Sequence, residues 1–272
     1  MRRRVLALLC ATMALACTDD GVRPPGDVAF PGTGSRVSLA LELAGRPVRL
    51  ELQRPEHLAT DGLVLTSLGP DGVVTEVPVS GAGDCRYQGT AAWEDGPSAG
   101  SAWAAVSLCD GLAGVVALDG VAYELSPAGP GEVFVRDGRG VSERVPWQRV
   151  SGGTASLASA LSPPDKYLEL RLVVDHLQVV KLGSDDAAIA QFALDAANQA
   201  DALLRGTNLT PTVGVFVTGI SAFKVADPYT ATRVGLEVDT SSLLSKFQAF
   251  TDPAPGTADV LALLSGDDFS GS

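Results

Sequence analysis

Apolar and polar residues alternate with a period of two along Val37–Leu43 and again along Val48–Leu52, the pattern of strands with one buried face. Gly45-Arg46-Pro47 separates the two runs as a turn. Further short apolar runs follow at Leu63–Thr66, Val73–Val77, Ala102–Ser107, Gly114–Leu118 and Val121–Leu125. Asp71-Gly72, Asp110-Gly111 and Asp119-Gly120 punctuate them. Residues 36–150 therefore read as a β-rich unit, an antiparallel sandwich or barrel. Residues 151–164 form a Gly/Ser/Ala segment ending in Pro163-Pro164, the composition of a linker open to proteolysis.

The pattern changes after Asp165. Tyr167–Val174 is a nearly continuous apolar strand. From Asp185 to Leu204 the apolar residues Ile189, Phe192, Ala193, Ala196, Ala197, Ala200, Leu203 and Leu204 recur three and four apart, which predicts a helix with one apolar stripe. Asp185 and Asp186 in its first turn, Arg205 in its last and Gly206 just beyond suit the helix dipole and C-cap. Thr212–Thr218 and Val260–Leu264 read as strands and Ser241–Phe250 as a second helix. Strand, helix, strand, helix, strand predicts an α/β unit with parallel pairing over residues 165–272.

Composition narrows the function classes. With 46% hydrophobic and 19% charged residues, the 272-residue chain can bury two cores and is not of the disordered class. A net charge of −12 repels phosphate backbones and argues against nucleic acid as a partner. All four lysines follow residue 165, a composition shift that fits a domain boundary. Residues 1–17 read as an export leader: Arg2–Arg4 are basic, Val5–Ala16 are apolar but too few to span a bilayer, and Ala14-Leu15-Ala16 is a small-x-small cleavage site. Cys17 follows directly, so this end resembles a bacterial lipobox, with Cys17 as the lipidation site and the membrane as a partner through that anchor. Plain secretion is the alternative. The polar Pro/Gly stretch of residues 18–35 would be the tether. Cys85 and Cys109 then remain for the exported part. One disulfide is the expected state, with two separate buried thiols as the alternative.

Two regions together resemble one family. Cys85-Arg-Tyr-Gln-Gly89, Cys109-Asp-Gly-Leu-Ala-Gly114, Tyr123 and Pro127 are similar to the prodomain of reprolysin/adamalysin (ADAM-type) zinc metalloproteases. Tyr167-Leu-Glu-Leu ending in Asp175-His176, the Ala/Asn-rich helix, and Ala258–Gly266 with Phe269 are similar to the first half of the catalytic domain. The resemblance implies a β-rich prodomain followed by an incomplete α/β metzincin-type catalytic domain. It implies an exported precursor of a zinc-dependent metalloendopeptidase acting on protein or peptide substrates.

The family's zinc is held by H-E-x-x-H-x-x-G-x-x-H, and no such segment occurs here. The two histidines, His57 and His176, do not replace it: His57 reads as a surface loop residue, and the family has a non-ligand His at the position of His176. No catalytic residue and no zinc ligand is therefore assigned, and the chain as written is expected to be inactive. Cys85 and Cys109 match the family's disulfide positions, so its zinc-binding prodomain cysteine has no counterpart. Glu169 and Asp259 match positions that bind calcium in the family, which makes calcium the candidate cofactor; the alternative is Glu169 as a solvent-facing strand residue near Arg171.

With the family's later strands absent, Val260–Leu264 is expected to have an unpaired edge and an uncovered apolar face. Residues 165–272 alone are accordingly expected to be unstable or to associate, and residues 36–150 to fold by themselves. Two other classes stay open: a non-catalytic, surface-anchored binding or protease-inhibitory protein built on a prodomain-like module, and an unrelated β-rich lipoprotein.

Overall fold

The structure is a computed structural model that describes residues 35–69, 72–80, 84–96, 102–138, 140, 142–150, 161, 163–206, 209–229, 233–234, 237–251, 258–266 and 269–270. The leader, Cys17, the tether and nearly all of the linker lie outside the described residues.

Eight strands close into an antiparallel barrel: β1 (Arg36–Leu43), β2 (Arg46–Gln53), β5 (Arg86–Trp93), β6 (Trp103–Ser107), β7 (Ala113–Leu118), β8 (Val121–Gly129), β9 (Glu132–Asp137) and β10 (Ser142–Arg149). Its interior is filled by the inward residues of the alternating pattern, among them Leu39, Leu41, Leu50, Val106, Val116 and Val133. The β1–β2 turn is Ala44-Gly45 and the β7–β8 turn is Asp119-Gly120, both residues of each at positive φ. That geometry carries the right-handed twist through a two-residue hairpin, so Arg46 and Pro47 belong to β2 rather than to the turn. Two motif glycines are sterically required. A Cβ on Gly89 would overlap the Glu51 carbonyl oxygen, and one on Gly114, at φ +139°, the Ala105 carbonyl oxygen. The disulfide forms between Cys85 and Cys109, at the mouth of β5 and after β6.

The second sheet has five strands in the order β15 (Val260–Leu264), β11 (Lys166–Val174), β12 (Val213–Phe223), β3 (Val64–Leu68) and β4 (Val74–Pro78). The first four are parallel, as the βαβ pattern predicts, and β3–β4 is an antiparallel hairpin. That hairpin comes from within the β-rich stretch, between barrel strands β2 and β5, and joins the sheet by pairing β3 with β12. Helix α1 (His176–Lys181) follows β11; α2 (Asp186–Gly206) lies on one face of the sheet, and α3 (Thr240–Thr251) packs on the other through Leu243 and Phe247. A small third sheet joins β13 (Arg233–Val234), β14 (Glu237–Asp239) and β16 (Phe269–Ser270).

α2 departs from the one-sided stripe. Ile189, Ala193, Ala197 and Ala200 face the sheet, but Asn198, Asp201 and Ala202 are buried as well. Its other side packs on β5 and β6 of the barrel, so one helix serves both cores. Gly206 ends inside the helix, not beyond it, because its bare Cα sits against the Trp103 ring: a Cβ there would lie 2.8 Å from Trp103 Cδ1. β15 pairs only with β11 among the described residues, as expected of an edge. Its faces, however, are covered: Val260, Ala262 and Leu264 are buried under α2, and Leu261 and Leu263 pack with the α3 cluster.

Candidate functional site

The largest concentration of buried polar groups lies where β5 and β6 meet α2. Arg86 and Gln88 point outward from the barrel on β5, and α2 covers them. Arg86 Nε lies 2.7 Å from Asp195 Oδ1, and Arg86 Nη2 donates to the Gln191 carbonyl at 3.0 Å. Gln88 Nε2 donates to Asn198 Oδ1 at 2.9 Å and to the Asn198 carbonyl at 3.0 Å. Asn198 Nδ2 in turn donates to the carbonyls of Tyr87 and Val106, each at 3.4 Å. Arg205 Nη1 donates to Gln88 Oε1 at 3.1 Å and Asp201 Oδ2 at 3.2 Å, while Asp201 Oδ1 accepts from the Val215 amide at 2.6 Å.

This network runs from the barrel through α2 to β12. The Ser107 hydroxyl, beside the Cys85–Cys109 disulfide, also hydrogen-bonds the Asp195 carboxyl, so the described polar groups are spent on positioning one another. Burial dominates its electrostatics. It raises the Asp195 carboxyl above its ordinary range, with Arg86 opposing that shift, and it lowers the Arg86 guanidinium against the pull of Asp195. The seam is a structural latch with ionic content.

A second group gathers where the parallel strands β11, β12 and β15 end, the side on which open α/β sheets carry ligands. Buried Asp175 caps α1, accepting from the Gln178 amide at 2.8 Å, and also accepts from the Gly266 amide at 3.1 Å. The His176 amide donates to Asp227 Oδ1 at 2.8 Å. His176 Nδ1 lies 3.2 Å from the Phe223 carbonyl oxygen. Asp175 and His176 thus tie three strand ends together.

Glu169 and Asp259 come together at the opposite end of the same strands. The Glu169 amide donates to Asp259 Oδ2 at 3.2 Å, and the neighbouring pair Leu170–Val260 is in register. Arg171 turns away to Ser221 Oγ, at 3.1 Å from Nη2. Two carboxylates suit calcium in kind but supply only part of its six to eight oxygens. Among the described residues no group of three His, Cys, Asp or Glu side chains converges on a metal position.

Zinc does not fit the histidines. His57 is exposed and packs edge-on against Tyr167, 6.2 Å between centroids, at the start of β11. His176 follows the end of that strand, which at about 3.3 Å per residue places the two histidines roughly 25–30 Å apart. They cannot share an ion. The seam residues Arg86, Gln88, Asp195, Asn198 and Asp201 were not singled out from sequence, and Arg205 was read only as a last-turn cation of its helix. Their signal was present as two long polar side chains inside an apolar strand and an Asn and Asp inside an alanine-rich helix.

No family model matches the chain. A distant likeness does exist: the chain is 26% identical over 210 residues to the human disintegrin and metalloproteinase domain-containing protein 33. The matched stretch covers 70% of this chain and 25% of that protein. The chain therefore spans about a quarter of the length of the relative it resembles. The disulfide agrees with an oxidising, extracellular setting.

Proposed function

We propose that this chain is the prodomain and leading catalytic-domain portion of an exported, reprolysin-like zinc metalloendopeptidase precursor. The carrying observation is the likeness to a metalloproteinase across most of the chain. In this reading the barrel of residues 36–150 acts as the prodomain, assists folding and masks the α/β portion, and residues 151–164 form the segment cut on activation. Proteins or peptides are the substrate class of the complete enzyme. The 272 residues hydrolyse nothing by themselves, because their two histidines cannot assemble a zinc site. Calcium at Glu169 and Asp259 would be a structural ion, and Cys17 the point of membrane attachment.

The test compares two proteins. The 272-residue chain should show no chelator-sensitive cleavage of a denatured protein substrate. The product of the coding DNA read on past Ser272 should carry an in-frame H-E-x-x-H-x-x-G-x-x-H segment and show that cleavage. A stop codon with no such segment downstream would overturn the precursor reading. The separation of the histidines favours a second reading, a non-catalytic surface protein that binds or inhibits a protease through the barrel. Potent inhibition of a reprolysin by the intact chain would support it.

A further inference from the structure

The barrel closes without the hairpin β3–β4. β2 and β5 pair directly from Val48–Trp93 to Gln53–Gln88, so residues 54–85 leave the barrel and return to it at adjacent points. An exposed ion pair, Arg54 to Asp84 at 3.2 Å, clasps the base of this arm. The arm then runs along the edge of β12. The Val217 amide donates to the Leu58 carbonyl at 2.9 Å, the Thr60 amide donates to the Val217 carbonyl at 3.1 Å, β3 pairs with Ile220–Phe223, and the Lys224 amide donates to the Leu68 carbonyl at 3.0 Å.

Side chains supply the rest of the attachment. Leu58, Leu63 and Leu65 are at most 3% exposed, and all three belong to the core beneath α2 rather than to the barrel core. Ser67 Oγ donates to Asp186 Oδ1 at 2.9 Å. The outer strand β4 contributes little burial; Val74 is 58% exposed. Backbone pairing for affinity and alternate side chains for selection are the two components of strand addition as a binding mode.

We propose that the β12 edge from Val217 to Lys224 is a strand-acceptor site for an extended peptide, and that residues 58–68 are its resident, exchangeable ligand. The peptide class it takes has apolar side chains at the Leu63 and Leu65 positions and a small hydroxyl at the position of Ser67. The inference stands on the pairing geometry and does not depend on the precursor reading. The tether holds the resident arm at millimolar effective concentration, so a free peptide meets a site that is already filled.

A fluorescein-labelled peptide of residues 57–69 is titrated with the intact protein and with its Leu63→Ala/Leu65→Ala variant, followed by anisotropy. Weakening the resident arm should tighten peptide binding at least tenfold. A peptide carrying the same two alanines should bind that variant at least tenfold more weakly than the parent peptide. A folded variant that binds no tighter than the parent protein, or that fails to distinguish the peptides, overturns the proposal. Should the variant not fold, native-state hydrogen exchange of the parent decides. The amides of Thr60, Val217 and Lys224 should exchange through an opening that leaves the barrel ladder protected, and their exchange only together with the barrel would overturn exchangeability.

Discussion

Arg86 and Asp195 show how one ion pair can be both costly and required. Burial pushes each toward its neutral form, Asp195 upward and Arg86 downward, so desolvation outweighs the attraction between them. The carboxyl, raised in the folded state, binds its proton more readily there than in the unfolded chain. Its contribution to stability is therefore lost as pH rises from the ordinary Asp range through the raised value. Arg86→Met would leave a part-buried carboxylate with its cation gone, a change that costs up to about 3–5 kcal/mol. We expect that loss at pH 7 in urea denaturation, and a smaller loss at more acidic pH, toward which the raised Asp195 carboxyl takes up its proton. A loss equal at both pH values would mean that Asp195 is solvated and that the seam owes nothing to its charge. The seam escaped sequence reading because Arg86 and Gln88 keep the alternation of β5 and so read as solvent-facing positions. Tyr87, Ala91 and Trp93 fill the barrel core, and only the packing of α2 on the other face turns the two polar side chains into buried ones.

Where each face of an element met one kind of surroundings, its burial was readable from its pattern; where an element served two cores, as α2 does, the element was readable but its second buried face was not. β1 and β2 alternate cleanly because one side faces the barrel interior and the other water. β11, α2, β12, α3 and β15 were legible in order, and their bounds to within two residues except at the end of β12, which runs on past Thr218 to Phe223. The pairing of β3 was not, since a short apolar run fits a barrel or a second sheet equally, and only long-range register decides. Glu169 and Asp259 were chosen by family likeness, and the parallel register of β11 with β15 accounts for the Glu169 amide meeting the Asp259 carboxylate. Calcium bound there would join two neighbouring strands at the open edge of the sheet. At ten times its Kd, an ion bound only by the folded state adds about 1.4 kcal/mol, enough to raise Tm by about 2–5 °C. Calcium should give such a rise in the intact chain and none in Asp259→Asn. An equal rise in both would assign the effect to another place.

At the scale of the whole molecule, the two sheets share their fate through α2 and the arm. The core under α2 takes Leu58, Leu63 and Leu65 from the N-terminal half, while the outer face of the barrel takes Ala202, Asn198 and Asp195 from the C-terminal half. Unfolding the α/β part would expose three leucines and leave Arg86 and Gln88 without the partners that satisfy them, a penalty that falls on the barrel side. Two independent domains would lack this mutual cost. All three tryptophans, Trp93, Trp103 and Trp147, lie in barrel strands, whereas the helical ellipticity comes from α1, α2 and α3. Emission from Trp93 and Trp147 therefore reports the barrel, that from Trp103 its seam with α2, and ellipticity at 222 nm the helices of the α/β part. The coupling predicts coincident urea transitions by the two probes, with one midpoint and one slope. A tryptophan transition at clearly higher urea than the helical one would show that the barrel survives alone, and that the seam holds the two parts together without making them a single cooperative unit.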